Sequence, residues 1–239
     1  MVPLSNQPLE LSQQLLSLLG VQVSTQQRDH IPADVPVLVI SNHRSFLDAP
    51  LLMAAMERSI AFACHHYMGQ LPGLRELVTM LGAFPLEASE QRSRSFFQQA
   101  TQRLQEGSAV GVFPEGTPSM VKLRPSDQLW QFQQGFAHLV ARTKLSRLCV
   151  LPVAIAPQRE SLLPSLPMQL FQWLDPDEPL FTESAWHPVV TYQQVSVRFG
   201  TPFHIEPSAI PKRGQPKARW IRSLSQACQQ EVELLLRAA

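Results

Sequence analysis

The sequence predicts an α/β fold, in which a single domain has a mainly parallel mixed sheet flanked by helices. Short, continuous apolar runs alternate with segments whose apolar residues have helical spacing, which is typical of strands covered by helices on both faces. Hydrophobic residues make up 44% of the 239 residues, enough for a core of its own. No apolar run reaches the roughly 18 to 20 residues of a spanning helix, and we expect neither a membrane span nor a secretory leader.

The predicted elements alternate along most of the chain. Strands are predicted near residues 35–40, 60–64, 83–86, 109–113, 148–156 and 195–199. Helices are predicted over residues 47–58, 67–81, 92–106, 129–143 and 215–237. This order favours crossover connections and therefore parallel neighbours in the sheet.

Three parts are expected within this organisation. Residues 1–30 form an N-terminal amphipathic helical segment, whose polar face lacks lysine and arginine, so that packing on the domain is favoured over lying on a membrane. Residues 31–205 form the main domain, with an insertion rich in proline and aromatic residues at 157–190 that is either a lid or an irregular flap. Residues 206–239 form a basic linker and a C-terminal helix. The basic residues there are Lys212, Arg213, Lys217, Arg219 and Arg222.

Composition excludes several classes of function. A net charge of +1 and the absence of zinc-finger, P-loop and dinucleotide motifs argue against nucleic acid as a partner. The three cysteines, Cys64, Cys149 and Cys228, predict neither a disulfide framework nor a metal knuckle, which fits a reducing cytoplasm. The adjacent histidines at 65 and 66 are more typical of a helix start than of a metal site, so no metal is expected.

The stretch from Ser41 to Asp48 follows an apolar strand and carries His43 and Asp48 five positions apart. Imidazole titrates near neutrality, and a carboxylate on one ring nitrogen leaves the other nitrogen free to accept a proton. The pair therefore predicts a general base with its orienting acid. Taken alone, the same residues also fit a histidine and an aspartate at a helix start.

A second polar stretch follows the predicted strand near 109–113. Glu115, Gly116 and Thr117 stand at this strand end. Because ligands gather beyond the carboxyl ends of strands in an open α/β sheet, these residues are expected to share one crevice with His43 and Asp48. The alternative is an ordinary turn after a strand.

Together, these motifs resemble the PlsC-like glycerolipid acyltransferase family. Its Asn-His-x4-Asp block is matched by Asn42, His43 and Asp48, and its Phe-Pro-Glu-Gly-Thr block is matched from Phe113 to Thr117. Residues 81–86, which include Phe84, resemble the second block of the family, and residues 150–155 resemble the fourth. The resemblance covers roughly residues 35 to 205, and four blocks in order are far more specific than one.

The resemblance implies transfer of a fatty acyl group from a thioester donor, acyl-CoA or acyl carrier protein, to a hydroxyl of a glycerolipid or related lipid acceptor. The reaction needs no cofactor beyond this co-substrate. His43 and Asp48 are then the catalytic residues. The implied substrate-binding residues are Asn42, Ser45, Phe84, Glu115, Gly116 and Thr117. A cytoplasmic enzyme of phospholipid biosynthesis is implied, and peripheral contact with the inner face of the membrane stays open.

The chain departs from the family pattern at the residues that usually hold the phosphate of the acceptor. Glu87 and Pro118 stand where the family usually has arginines, and Gln134 stands where lysine is common. A carboxylate repels phosphate, so an acceptor other than a simple phosphomonoester is expected. The substitutes in the sequence are Arg92, Arg94 and Arg124, each of which also fits a solvated face.

The expected mechanism is direct transfer, with His43 deprotonating the acceptor hydroxyl and Asp48 stabilising the resulting cation. Ser45 is an alternative nucleophile on proximity alone. Two other functions stay open: a lipid-binding scaffold derived from acyltransferases, and a thioester hydrolase that uses the same dyad to activate water.

Overall fold

The computed structural model of the protein describes residues 7–64, 74–86, 92–143, 145–167 and 186–238. The histidines at 65 and 66, Glu87, and the part of the predicted insertion between 168 and 185 lie outside the described residues.

The described elements alternate as expected. The strands are β1 (Gln22–Gln26), β2 (Val37–Ser41), β3 (Ile60–Cys64), β4 (Ala83–Pro85), β5 (Ala109–Val112), β6 (Leu148–Pro167), β7 (Trp186–Phe199) and β8 (Phe203–Ile205). The helices are α1 (Gln7–Leu18), α2 (Asp48–Met56), α3 (Leu74–Met80), α4 (Arg92–Gln105), α5 (Pro118–Val121), α6 (Gly135–Val140) and α7 (Gly214–Arg237).

The strands form one sheet in the order β1-β7-β6-β2-β5-β3-β4, and β8 pairs with β6. The neighbours from β6 through β2, β5 and β3 to β4 are parallel, as are β1 and β7, whereas β6 pairs antiparallel with β7 and β8. The predicted fold class, a mainly parallel mixed sheet flanked by helices, is confirmed. The carboxyl ends of β2 and β5 meet at one edge, because these strands are parallel neighbours.

Helices cover both faces of the sheet. One core cluster includes Leu16 of α1 and Leu51 of α2, and the other includes Leu104 of α4, Phe136 of α6 and Val232 of α7. The central strand β2 is buried along its whole length, which its run of Val, Leu and Ile predicts. Among the helices described, none is both long and apolar enough to cross a bilayer.

The long hairpin of β6 and β7 contains the described part of the insertion predicted at 157–190. Residues 157–167 and 186–190, for which an irregular flap was one of the two forms expected, continue the two strands as paired arms, with Ser161 opposite Thr191 and Leu162 opposite Val190. Backbone pairing between the arms satisfies the peptide groups despite the prolines, which fall near register shifts.

Three further elements differ from the prediction. Residues 22–26, expected to be helical, form the edge strand β1, so the N-terminal segment adds to the sheet. Strand β8 was not predicted. Strand β1 is mostly polar and β8 is only three residues long, so their pairing depends on tertiary contacts. The helix predicted over 129–143 is limited to α6, which leaves the residues before Gly135 free to loop over the site.

Candidate active site

His43 and Asp48 form a hydrogen-bonded dyad beyond the carboxyl end of β2. The distance between His43 Nδ1 and Asp48 Oδ2 is 2.8 Å. Asp48 begins α2 and its side chain is fully buried, whereas one fifth of the His43 side chain is exposed. Since Nδ1 is engaged by the carboxylate, Nε2 is the nitrogen available to a substrate.

The Asp48 carboxylate is held on both oxygens. Oδ2 also accepts hydrogen bonds from the backbone N–H groups of Arg44 (2.6 Å) and Ser45 (2.8 Å), and Oδ1 accepts one from the Tyr192 hydroxyl (2.7 Å). Burial, followed by the charge of Asp48, raises the pKa of Tyr192 well above its usual value, so the hydroxyl stays protonated and acts as a donor. Tyr192 therefore fixes the orientation of the Asp48 carboxylate, which in turn orients the His43 imidazole.

Aromatic stacking fixes the plane of the imidazole. The His43 ring lies on Phe113, with centroids 4.0 Å apart and an angle of 8° between the planes, and Phe113 lies on Phe62 at 5.0 Å. A Cβ at Gly111 would come within 2.1 Å of the Phe62 ring, so glycine at this strand position is what admits the stack. The His43 imidazole is thus held by packing as well as by its hydrogen bond to Asp48.

Glu115 braces the loop that carries His43. Its side chain is buried, and its two oxygens accept hydrogen bonds from the backbone N–H groups of His43 (2.8 Å) and Trp130 (2.7 Å). Burial raises the pKa of Glu115, although these two N–H donors oppose the shift. Both oxygens serve the protein backbone in this structure, and the expectation that Glu115 binds substrate stays a prediction.

Gly116 and Thr117 complete the turn after Glu115. Gly116 has a φ of +69°, a backbone conformation that favours glycine, and a Cβ there would need the end of the flexible Gln133 side chain to move. Thr117 is the residue that precedes α5. The structure brings both residues to the edge of the sheet where His43 lies, and their predicted contact with substrate stays a prediction.

Asn42 and Ser45 connect the motif to other strands of the sheet. The Asn42 amide donates to the carbonyl of Ile155 (2.9 Å) and accepts from its N–H (2.8 Å). The Ser45 hydroxyl donates to the carbonyl of Val190 (2.7 Å), and only 1% of the residue is exposed. Both residues therefore position the loop, and their predicted contact with substrate, like the option of Ser45 as a nucleophile, stays a prediction.

Phe84 lies in the core, and its predicted contact with substrate stays a prediction. The residue is 2% exposed and belongs to the core on the α4 side of the sheet, with the Arg103 guanidinium 4.4 Å from its ring centroid. Its aromatic ring is used in core packing.

The arginines proposed as substitutes for the phosphate clamp have different positions. Arg124 lies over the Trp130 ring at 3.7 Å and donates to the carbonyl of Leu129, so it orders the loop before α6. Arg94 is exposed on α4. Pro118 begins α5, where its missing N–H costs nothing.

Three residues that the sequence did not single out belong to the site. Tyr192 contacts Asp48, and Arg44 forms a two-pronged ion pair with Glu160 on β6 (2.6 and 2.8 Å) while donating to the carbonyl of Arg124. One signal was available for Tyr192. A tyrosine within the apolar run that starts at Val189 indicates a buried hydroxyl that needs a partner.

The fold and the site define the class: an α/β protein with a hydrogen-bonded His–Asp pair beyond its central strands. The Acyltransferase family model matches residues 22–156, more than half of the chain. The chain belongs to the Acyltransferase family, and its resemblance to the PlsC-like glycerolipid acyltransferases is confirmed.

Relatives and a solved structure agree with this family. The chain is 26% identical over 136 residues to the chloroplastic 1-acyl-sn-glycerol-3-phosphate acyltransferase LPAT1 of Arabidopsis thaliana, covering 56% of this chain and 36% of the relative. It is 28% identical over 120 residues to the chloroplastic 1-acyl-sn-glycerol-3-phosphate acyltransferase BAT2 of Brassica napus, covering 49% and 33%. The chain thus spans about a third of the length of these relatives.

The crystal structure of the 1-acyl-sn-glycerophosphate acyltransferase PlsC from Thermotoga maritima has the same fold. It matches with a TM-score of 0.58 and 18% identity, over 98% of this chain and 80% of that chain. At this identity the match speaks for the fold alone.

Proposed function

We propose that the protein transfers a fatty acyl group from a thioester donor, acyl-CoA or acyl carrier protein, to a hydroxyl of a glycerolipid or related lipid acceptor in phospholipid biosynthesis. The observation that carries the proposal is the buried Asp48 carboxylate bonded to Nδ1 of a partly exposed His43, which leaves Nε2 free. The names of the relatives, all acyltransferases of a lysolipid, support the substrate class.

His43 acts as the general base in the proposed reaction. Nε2 takes the proton of the acceptor hydroxyl as the oxygen attacks the thioester carbonyl, and Asp48 stabilises the imidazolium that forms. The new C–O bond forms, the C–S bond breaks, and the proton passes from His43 to the leaving thiolate. A thioester needs no covalent acyl-enzyme, and the engaged Ser45 hydroxyl supports a direct transfer.

The acceptor side differs from a phosphate clamp built on arginine. Pro118 offers no charge, and the Arg124 guanidinium is occupied by Trp130 and the carbonyl of Leu129. These contacts support an acceptor that is recognised by more than a terminal phosphate, such as a lysolipid with a larger headgroup. An acceptor panel that includes 1-acylglycerol 3-phosphate tests this choice.

We also place the reaction at a membrane surface. Four large apolar side chains are exposed near the residues to which Arg44 and Ser45 form hydrogen bonds. These side chains are Phe46, Leu123, Leu162 and Leu163. Since Arg44 bonds to residues 124 and 160, and Leu162 pairs with the Ser45 partner Val190, all four lie around the loop of His43. Such a patch supports peripheral contact with lipid. A cytoplasmic location stays a prediction.

The test is a measurement of free thiol released from acyl-CoA with and without a lysolipid, together with mass spectrometry of the product. His43→Ala is expected to reduce acceptor-dependent turnover by about a hundredfold or more. His204→Ala removes an exposed histidine on β8 and is the matched control, expected to leave turnover unchanged. Thiol release without an acceptor would instead identify a hydrolase, and saturable lipid binding without turnover would identify a scaffold.

A further inference from the structure

A groove runs between α4 and α6 on the face of the sheet opposite α2. Its volume is about 980 Å³, within the range of small-molecule sites. Arg94 and Arg142 contribute its charge, and His138 and the amides of Gln98, Gln102 and Gln105 contribute hydrogen-bonding groups. Among the described residues, no carboxylate lines the groove. The nearest one along α4 is Glu106, which accepts a hydrogen bond from Gln102 at the end of the helix.

The surroundings of the groove are positively charged as well. Residues 92–105 of α4, 135–140 of α6 and 214–230 of α7 contain no aspartate or glutamate. The ammonium of Lys217 on α7 donates to the carbonyl of Ala141 (2.9 Å), which places a third cation next to Arg142. This concentration of charge is local, because the whole chain has a net charge of only +1. An anionic ligand is therefore favoured here.

Both arginines are available to a ligand. Arg142 lies over the Phe97 ring at 4.5 Å, a stacking that leaves the N–H groups at the edge of the guanidinium free. Neither Arg94 nor Arg142 forms an ion pair with another described residue. A planar guanidinium with free N–H groups suits a phosphate oxygen pair.

The groove starts at the edge of the sheet that carries the dyad. Helix α4 follows the carboxyl end of β4, so Arg94 in its first turn lies toward this edge. Gly135 at the start of α6 is two residues from Gln133, whose N–H donates to the carbonyl of Pro114, next to Glu115. A ligand in the groove can therefore extend a flexible arm over the edge toward His43.

We propose that this groove binds the phosphorylated nucleotide portion of a coenzyme A thioester donor. The pyrophosphate and the ribose phosphate would contact Arg94 and Arg142, and the glutamine amides would contact the sugar and the base. A nucleotide fits a groove of about 980 Å³, which is too small to seat a folded carrier protein. The proposal rests on the proposed acyl transfer, since it names the donor of that reaction.

The test measures binding of unacylated coenzyme A to the full chain by calorimetry, which requires no turnover. Arg94→Gln and Arg142→Gln are each expected to weaken binding about tenfold, and increasing salt should weaken binding to the native protein. Arg94→Lys keeps the positive charge and should lose less affinity for coenzyme A than Arg94→Gln does. Arg28→Gln, which removes a cation near the end of α2, is the charge-matched control and should bind like the native protein.

Kinetics separate failure of this site from failure of the proposed function. The two glutamine variants should raise KM for acyl-CoA while kcat and the acceptor KM stay unchanged. If coenzyme A binds through Arg94 and Arg142 but no turnover occurs with any acceptor, the site stands and the proposed function fails. If turnover occurs and neither Arg94→Gln nor Arg142→Gln weakens coenzyme A binding, the proposed binding site is wrong. A raised acceptor KM, or activity with acyl carrier protein only, would also overturn it.

Discussion

Replacing Tyr192 with phenylalanine tests how far the proposed reaction depends on the orientation of Asp48. The ring still fills its place, and a single donor is removed from Asp48 Oδ1. Among the described residues, the donors that remain all serve Oδ2: His43 Nδ1 and the N–H groups of Arg44 and Ser45. Tyr192→Phe therefore leaves one oxygen of a fully buried carboxylate without a partner.

The expected loss of stability follows from the negative charge of Asp48, which accepts the hydrogen bond from Tyr192. A hydrogen bond to a charged group contributes about 1.5 to 3 kcal/mol, so the free energy of unfolding should fall by about that amount. Without the tyrosine donor, the Asp48 carboxylate is less restrained, and it holds the His43 imidazole less well in a reactive orientation.

We expect a kcat about tenfold lower for Tyr192→Phe, because a less restrained carboxylate orients the imidazole poorly. The assay is acceptor-dependent thiol release at neutral pH, with chemical denaturation of the same samples.

Ser196→Ala is the matched control. Ser196 is four residues along the same strand, and its buried hydroxyl has no hydrogen-bond partner in the described part of the chain. Loss of this hydroxyl should leave kcat unchanged. If Tyr192→Phe lowers stability but does not lower kcat, or if Ser196→Ala lowers kcat equally, then Tyr192 supports only the fold and the reasoning fails.

Two more predictions concern the loops around the site. Burial raises the pKa of Glu115, so the contribution of this group to stability is full below the usual glutamate pKa and is lost as pH rises through the folded value. The unfolding free energy of the native protein minus that of Glu115→Gln should therefore fall as pH rises. Urea titrations in which this difference rises with pH would contradict the reasoning. The double variant Leu162→Ser, Leu163→Ser should sediment several-fold less with anionic phospholipid vesicles than the native protein does. The control is Leu234→Ser, which changes a similarly exposed leucine on α7 and should sediment like the native protein. Equal losses of vesicle binding in both variants would refute contact through the hairpin.

The sequence by itself determined the fold class and the identity of the dyad. Continuous apolar runs such as Val37–Ser41 suit only strands covered on both faces, and their alternation with helical spacing leads to a parallel sheet. His43 and Asp48 could be assigned because a helix start brings residues five positions apart within reach, so local geometry is enough. The cysteines are free, and burial raises the pKa of Cys149 and Cys228 to about 12, so these thiols stay protonated at neutral pH.

The roles of the other motif residues were decided only by tertiary structure. Asn42, Ser45 and Glu115 look like substrate contacts in the sequence, but their polar atoms are bonded to backbone groups of Ile155, Val190 and Trp130, which are distant in sequence. Whether a polar side chain faces a ligand or the backbone depends on which strands become neighbours. Pairing of β6 with β7 also brings Tyr192 to Asp48, 144 residues away, and no local pattern encodes that distance.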